Sequence, residues 1–255
     1  MTFPHPLALQ LYTVRELCAK DLEGTLRSVA KIGYRAVETA GTYGRSPAEM
    51  RAALDRCGLR AICAHIKLAQ ILHDPAAVAQ ECAALGVRNI ATSGPAHDQR
   101  NANGYRAWAA DLEKAGTTMK ARGIQICHHN HAWEFERHEG RSGLEWIAEE
   151  TSPENVAFEL DVYWAAKGGD DPVAWMRRLG ARCHLLHLKD MSPAGDFAPV
   201  GAGTLDFARI LDAAKGLAVE GCIVEQDACE GSPLDAIAVS LTNLKRLDSA
   251  FAAQS

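Results

Sequence analysis

The chain lacks several features, and each absence removes a class of protein. It has no Cys-x-x-Cys pair: its eight cysteines stand singly, at positions 18, 57, 63, 82, 127, 183, 222 and 229. In a chain long enough to bury a large apolar core, they read as reduced, small core residues of a cytosolic protein, not as a disulfide frame. No apolar run approaches the roughly 20 residues that span a bilayer, so no membrane partner is expected. The opening Met1-Thr2-Phe3-Pro4-His5-Pro6 has no basic segment followed by a long apolar one. A secretory signal is therefore not expected, and the cytoplasm is the default location. No basic run interrupts a chain of formal charge −5, which argues against nucleic acid as a partner. Aromatic residues are only 6%, but 47% hydrophobic and 23% charged residues describe an ordinary globular protein. Linkers and low-complexity segments are missing too, so residues 1–255 read as one domain.

What is present is a repeated phrase of glycine followed by a short apolar run. It occurs as Gly33-Tyr34-Arg35-Ala36-Val37-Glu38, Gly58-Leu59-Arg60-Ala61-Ile62-Cys63-Ala64-His65, Gly86-Val87-Arg88-Asn89-Ile90-Ala91-Thr92 and Gly123-Ile124-Gln125-Ile126-Cys127-His128-His129. Weaker copies begin at Gly180 and Gly221. Each glycine stands where a helix needs a left-handed residue to stop, and each run after it is strand-like. Leu7 to Tyr12 supplies a first strand, and Val156 to Asp161 one without the glycine. Helix starts lie between: Ser46-Pro47-Ala48-Glu49 is a capping box, and Asp74-Pro75, Asp171-Pro172 and Ser232-Pro233 open three more. Tyr105, Trp108, Leu112, Ala115 and Met119 form a helical stripe that reads as core. Eight strands alternating with eight helices predict a single-domain α/β protein, a closed (β/α)8 TIM barrel. An open doubly wound sheet is disfavoured because no Gly-x-Gly-x-x-Gly turn follows the first strand.

The densest chemistry lies in Cys127-His128-His129-Asn130-His131-Ala132-Trp133-Glu134, with three histidines, an amide and a carboxylate. Strand alternation sends His129 and His131 to one face and His128 to the other. Two imidazoles on one face can share a cation or a substrate. In a barrel of this kind the C-terminal strand ends converge on one mouth. Here those ends read Gln10 and Tyr12, Glu38, His65, Thr92 and Ser93, His129 and His131, Asp161, His187 with Lys189, and Glu225. Asp161, His187, Glu225 and one histidine of the fifth strand would suit Mn²⁺, Zn²⁺, Co²⁺ or Fe²⁺ better than Mg²⁺ or Ca²⁺. Lys189 would then stand beside the ion, or pair with Asp190 or Glu159. Glu38 and His65, taken singly, could be no more than rim salt bridges. Trp133 and Trp164 fit either a sugar-stacking wall or the core.

Four motifs together resemble the xylose-isomerase-like TIM barrels, the superfamily of sugar-phosphate isomerases/epimerases, inosose dehydratases and endonuclease IV. They are His128-His129-Asn130-His131, Phe158-Glu159-Leu160-Asp161, His187-Leu188-Lys189-Asp190 and Ile223-Val224-Glu225-Gln226-Asp227. The resemblance spans essentially the whole chain. It implies one divalent metal held by Asp161, His187 and Glu225. The fourth ligand, usually a Glu in a Glu-Asn-His sequence, is here His129. That departure weakens a two-carboxylate epimerase scheme and resembles instead the inosose-dehydratase branch and relatives acting on 3-keto sugars.

The expected chemistry is removal of a proton α to a carbonyl of a keto sugar or inosose, leading to isomerisation, epimerisation or elimination/hydration. Glu225, His131 and Lys189 are the candidate catalytic groups; Gln10, Tyr12, Glu38, His65 and Glu134 are candidates for substrate binding. The turn Val200-Gly201-Ala202-Gly203-Thr204 resembles the family's Gly-x-Gly turn, with Ala202 where an acid is usual. No phosphate-binding loop is evident, which favours an unphosphorylated sugar or cyclitol as the small-molecule partner. The alternative is a non-catalytic sugar-binding barrel with a vestigial metal site. Nuclease activity is disfavoured by the net charge. A homo-oligomer is compatible with the sequence, which does not specify one.

Overall fold

The structure, a computed structural model, describes the backbone of residues 6–252 and side chains as far as residue 247. Eight parallel strands close into a barrel in chain order. They are β1 (Leu7–Gln10), β2 (Ala36–Thr39), β3 (Arg60–His65), β4 (Asn89–Ser93), β5 (Gln125–His129), β6 (Val156–Asp161), β7 (Cys183–Leu188) and β8 (Gly221–Val224). The ring is closed by β1 on β8, with Leu7 opposite Cys222. Eight helices cover the outside: Leu22–Ile32, Pro47–Arg56, Pro75–Leu85, Ala102–Lys120, Gly143–Glu150, Pro172–Leu179, Phe207–Lys215 and Pro233–Ala252.

Local chemistry sets these elements. The Ser46 hydroxyl accepts from Glu49 N–H while the Glu49 carboxylate accepts from Ser46 N–H, a complete capping box ahead of Pro47. Asp21, Asp74 and Asp171 cap their helices through side-chain oxygens. Gly86, at φ +79°, ends its helix in the left-handed region that a side chain would strain. At the mouth, the loops after β1, β3 and β6 carry additional short helices, Arg15–Lys20, Leu68–His73 and Val162–Lys167.

The barrel interior is unusually small in side-chain size. Its lower layer comprises Ala8, Ala36, Cys63, Ala91, Cys127, Ala157, Leu185 and Ile223, all essentially inaccessible. Six of these eight are alanine or cysteine, which leaves space on the axis above them for polar side chains. All eight cysteines are free, and Cys57 and Cys229 are only half-buried. Two registers slip on the way up, between Val37 and Glu38 on β2 and between Phe158 and Glu159 on β6. The extra residues are Ile62 on β3 and His184 on β7, while Glu38 and Glu159 reach the axis by alternation, two residues after the inward Ala36 and Ala157.

Candidate active site and metal centre

Strand register assembles the floor of the mouth. Ser93 on β4 lies opposite His129 on β5, His129 opposite Glu159 on β6, and Asp161 opposite His187 on β7. Alternation turns His128 outward, where its Nδ1 accepts from Trp108 Nε1 at 3.4 Å and burial pushes its pKa down to about 3. It is a core histidine. Asn130 clamps the end of β6, donating to the Asp161 carbonyl at 3.2 Å and accepting from Asp161 N–H at 3.0 Å. That fixes the backbone from which Asp161 projects.

His187 is the hub. Its Nδ1 lies 2.8 Å from Glu225 Oε2 and 3.9 Å from Asp161 Oδ2. Its Nε2 lies 2.8 Å from Glu38 Oε2 and 3.1 Å from Glu159 Oε2. Burial opposes a charge on this ring, but Glu159 and Glu38 outweigh it and hold the pKa well above the ordinary histidine value. Lys189 Nζ contacts Glu225 Oε2 at 2.8 Å, Asp161 Oδ2 at 3.1 Å and Asp227 Oδ1 at 2.8 Å. Burial disfavours the ammonium, yet the Asp161, Glu225 and Asp227 carboxylates more than compensate and raise its pKa. The partners anticipated for Lys189, Asp190 and Glu159, are thus replaced by three carboxylates of the site. Asp190 is the adjacent residue and points away, into the loop that follows β7.

Above this floor lies a cavity of about 440 Å³ lined by Gln10, Tyr12, His65, His129, Lys189 and Glu225, with His131, Ser93, Lys67 and Asp227 at its walls. Seven of the anticipated site residues therefore reach it. Tyr12 is 43% exposed at the rim, with the Arg15 guanidinium 4.0 Å from its ring centroid. His65 spans from Glu38 Oε1, 3.3 Å from its Nδ1, to Ser93 Oγ, 2.9 Å from its Nε2. Burial works against its protonation, but Glu38 raises its pKa overall. His131 stacks on Trp133, centroids 4.2 Å apart, and faces Trp164 at 5.5 Å. Burial and then the Lys189 charge push His131 down to about 2, so its ring is neutral.

Two residues expected to touch substrate do not reach the cavity. Glu38 is fully buried beneath His65 and His187; burial pushes its carboxyl up, but His187 and His65 hold it at about 2. Glu134 is fully buried behind the wall, accepting from His131 N–H and Trp133 Nε1, both at 2.8 Å. The reason is local: the carboxylate folds back onto the turn Ala132–Phe135, whose first N–H groups it caps. Trp133 and Trp164 flank His131 and are not among the cavity walls. Conversely, Glu159 was read only as an ion-pair partner, yet it lies at the centre of the site.

The residues present fit a divalent cation. His129, Asp161 and His187 each offer a ligand atom, and these atoms lie within 4.8 Å of one another. Asp161 Oδ1 caps the helix Val162–Lys167 through Trp164 N–H, while the buried Oδ2 receives no well-aligned hydrogen bond, although the Lys189 ammonium lies 3.1 Å away. Burial lifts the Asp161 carboxyl to about 6 despite Lys189, a sign that positive charge is short. Glu225, anticipated as a ligand with Asp161 and His187, adjoins this trio through His187 and Lys189 but is not one of the three. A second convergence, Glu38, Cys63 and Glu159, lies beneath, with both carboxylates occupied by imidazoles.

A closed parallel barrel with such a mouth is an enzyme-bearing TIM barrel in form. The sequence profile of the xylose isomerase-like TIM barrels matches residues 26–247, and the chain belongs to that family. A sugar phosphate isomerase/epimerase from Parabacteroides distasonis superposes with a TM-score of 0.85 at 25% identity, covering 96% of this chain and 94% of that one. The IOLI protein, solved with a zinc atom bound, gives 0.73 at 16% identity over 96% and 98%. A probable 3-DHS dehydratase, AsbF of Bacillus anthracis, gives 0.73 at 11% identity over 94% and 98%. The last two likenesses are likenesses of fold. No curated protein sequence matches the chain. Among the described residues no helix is long and apolar enough to cross a membrane.

Proposed function

We propose that the protein is a divalent-metal-dependent enzyme that removes a proton α to the carbonyl of a keto sugar or inosose. The observation that carries this reading is the convergence of His129, Asp161 and His187 under a polar cavity, with Asp161 Oδ2 buried and receiving no well-aligned hydrogen bond. His129, Asp161 and His187 would hold the ion, with Glu225 beside them as the fourth group. Such an ion supplies a Lewis acid that polarises the carbonyl and neighbouring hydroxyl of the sugar. The protein's own groups do the rest. Glu225 lines the cavity, and although burial pushes its carboxyl up, Lys189 and His187 keep it ionised. It is the proton acceptor of this reading, and His131, the second catalytic candidate, offers a neutral ring that can hydrogen-bond a sugar hydroxyl beside it. Lys189 cannot leave its carboxylates, so it acts as a fixed positive charge beside the oxygen on which negative charge develops.

Gln10, Tyr12 and His65 supply hydrogen-bonding groups at the cavity wall for sugar hydroxyls. Lys67 is the one cationic side chain of that wall besides Lys189, which is already paired with three carboxylates. This supports an unphosphorylated sugar or cyclitol. Isomerisation, epimerisation and elimination/hydration share the same first proton transfer. The test is elemental analysis of protein purified without chelator or nickel resin, beside the Asp161→Ala variant. About one equivalent of manganese, zinc, cobalt or iron, lost in the variant, is expected. Solvent deuterium should enter keto sugars or inososes at the carbon next to the carbonyl. Protein that binds no metal and exchanges no deuterium would leave a sugar-binding barrel as the reading.

A further inference from the structure

Glu159 lies deep in the barrel, and the cavity does not reach it. Its carboxyl is 0% exposed, and one oxygen, Oε2, lies 3.1 Å from His129 Nδ1 and 3.1 Å from His187 Nε2. One oxygen therefore meets nitrogens of two imidazoles, on the strands either side of its own. The rings are 4.6 Å apart by centroid and edge-on. Two features place it there. Strand alternation puts Glu159 on the inward face with Ala157 and Asp161, and the alanine and cysteine layer beneath leaves room for a carboxylate. Glu38, inward in the same way after Ala36, meets the same His187 nitrogen from the other side at 2.8 Å.

We propose that Glu159 is a positioning residue that fixes the tautomer of the metal-binding His129, so that this ring ligates through Nε2. The inference rests on the metal-centre reading above and adds a role for a residue outside the ligand set. A neutral imidazole carries one N–H, and its other nitrogen is the ligand. Glu159 accepts the Nδ1–H of His129, which leaves Nε2 with its lone pair. The same oxygen lies 3.1 Å from His187 Nε2, where Glu38 Oε2 is the nearer acceptor at 2.8 Å, so the His187 ring does not depend on Glu159 alone. Carboxylate acceptors of this kind also raise the basicity of the ligating nitrogen.

The experiment compares the parent with Glu159→Leu, which removes the acceptor, and Glu159→Gln, which keeps an acceptor oxygen and loses the charge. Zinc affinity is read by competition with a chromogenic chelator, and histidine tautomers of the metal-free proteins by long-range ¹H–¹⁵N NMR. Folding is monitored by circular dichroism. Zinc binding is expected to weaken by about ten- to a hundred-fold in the Leu variant and by less in the Gln variant. The His129 Nδ1–H tautomer should dominate in the parent, persist in the Gln variant and give way to Nε2–H in the Leu variant. A folded Leu variant with parental zinc affinity and an unchanged His129 tautomer would overturn the proposal. If only the Gln variant folds, parental zinc affinity despite loss of the His129 Nδ1–H tautomer would do the same. Should the parent itself bind no zinc, the metal-centre reading fails, and the tautomer comparison alone decides whether Glu159 positions the His129 ring.

Discussion

Glu134 has no access to water, and its carboxylate accepts two hydrogen bonds, from His131 N–H and Trp133 Nε1. Gly94 allows the close approach, since a Cβ there would overlap the carboxylate oxygen. Burial outweighs those hydrogen bonds and lifts the Glu134 pKa to about 8 from an ordinary 4.5. The folded protein then binds a proton that the unfolded chain has released, so stability falls as pH rises between these values. The contribution is full below about 4.5 and lost by the time pH passes 8. Each unit of separation is about 1.4 kcal/mol, so Glu134→Gln should flatten a decline of a few kcal/mol. Urea denaturation of parent and variant at pH 5, 6, 7 and 8 checks this. Parallel curves would sink it. The same residue marks what alternation alone reveals. His128, His129 and His131 take the faces that period-two reasoning assigns them, because a strand leaves no choice. Glu134 follows the strand's end, where the chain turns, so no period fixes its direction. Glu159 was legible in principle: it shares a face with Asp161, and a charge inside an otherwise apolar strand needs a partner. Its partners His129 and His187, however, lie on other strands, and nothing within Phe158-Glu159-Leu160-Asp161 names them.

At the scale of elements, Asp190 shows how a loop is built on one side chain. Its carboxylate is fully buried and accepts from Met191, Gly201, Gly203 and Leu205 N–H groups at 2.7 to 3.1 Å. Gly203 is needed because a Cβ would overlap Asp190 and the Met191 carbonyl. Gly201 sits at φ +76°, in the left-handed region. Hydrogen bonds to a charged acceptor contribute about 1.5–3 kcal/mol each before compensation by water. Asp190→Ala should therefore cost roughly 3 kcal/mol in all, given that exposed loop N–H groups regain solvent. The loss should appear in urea denaturation, together with faster amide exchange at residues 201–205. Unchanged exchange there would show that the loop holds without Asp190. Glycine punctuation made the strands readable, since each phrase pairs a helix stop with an apolar run. The turn at residues 200–204 was equally visible in its glycines. Its anchor was not, because Asp190 is separated from Gly203 in sequence and adjoins Lys189, which invites an ion-pair reading.

On the scale of the molecule, the barrel trades an apolar axis for a charged one. Ordinary barrels of this fold fill the centre with layers of branched apolar side chains. Here alanines and cysteines form the lower layer, and Glu38, Glu159, Asp161, Glu225 and Asp227 gather above it, opposed by Lys189 and the imidazoles of His65 and His187. Burial and the neighbouring Glu38 charge lift the Glu159 carboxyl to about 7, and burial lifts Asp161 to about 6. Both shifts report too little positive charge for five carboxylates in a medium that screens poorly. A cation at the mouth would relieve this for the fold as a whole, because β5, β6 and β7 each contribute a group to it. A ligand bound only by the native state at a hundredfold excess over its dissociation constant stabilises by about 2.7 kcal/mol. For a chain of this size that is a Tm rise of roughly 5–10 °C. Saturating Mn²⁺ or Zn²⁺ should produce such a rise in the metal-free parent, chelator should reverse it, and Asp161→Ala should abolish it. Calorimetry separates this from a weak surface effect, which would survive in Asp161→Ala. A parent whose Tm responds to neither added metal nor chelator would mean that Lys189 and the protonated imidazoles already meet the charge demand of the barrel unaided.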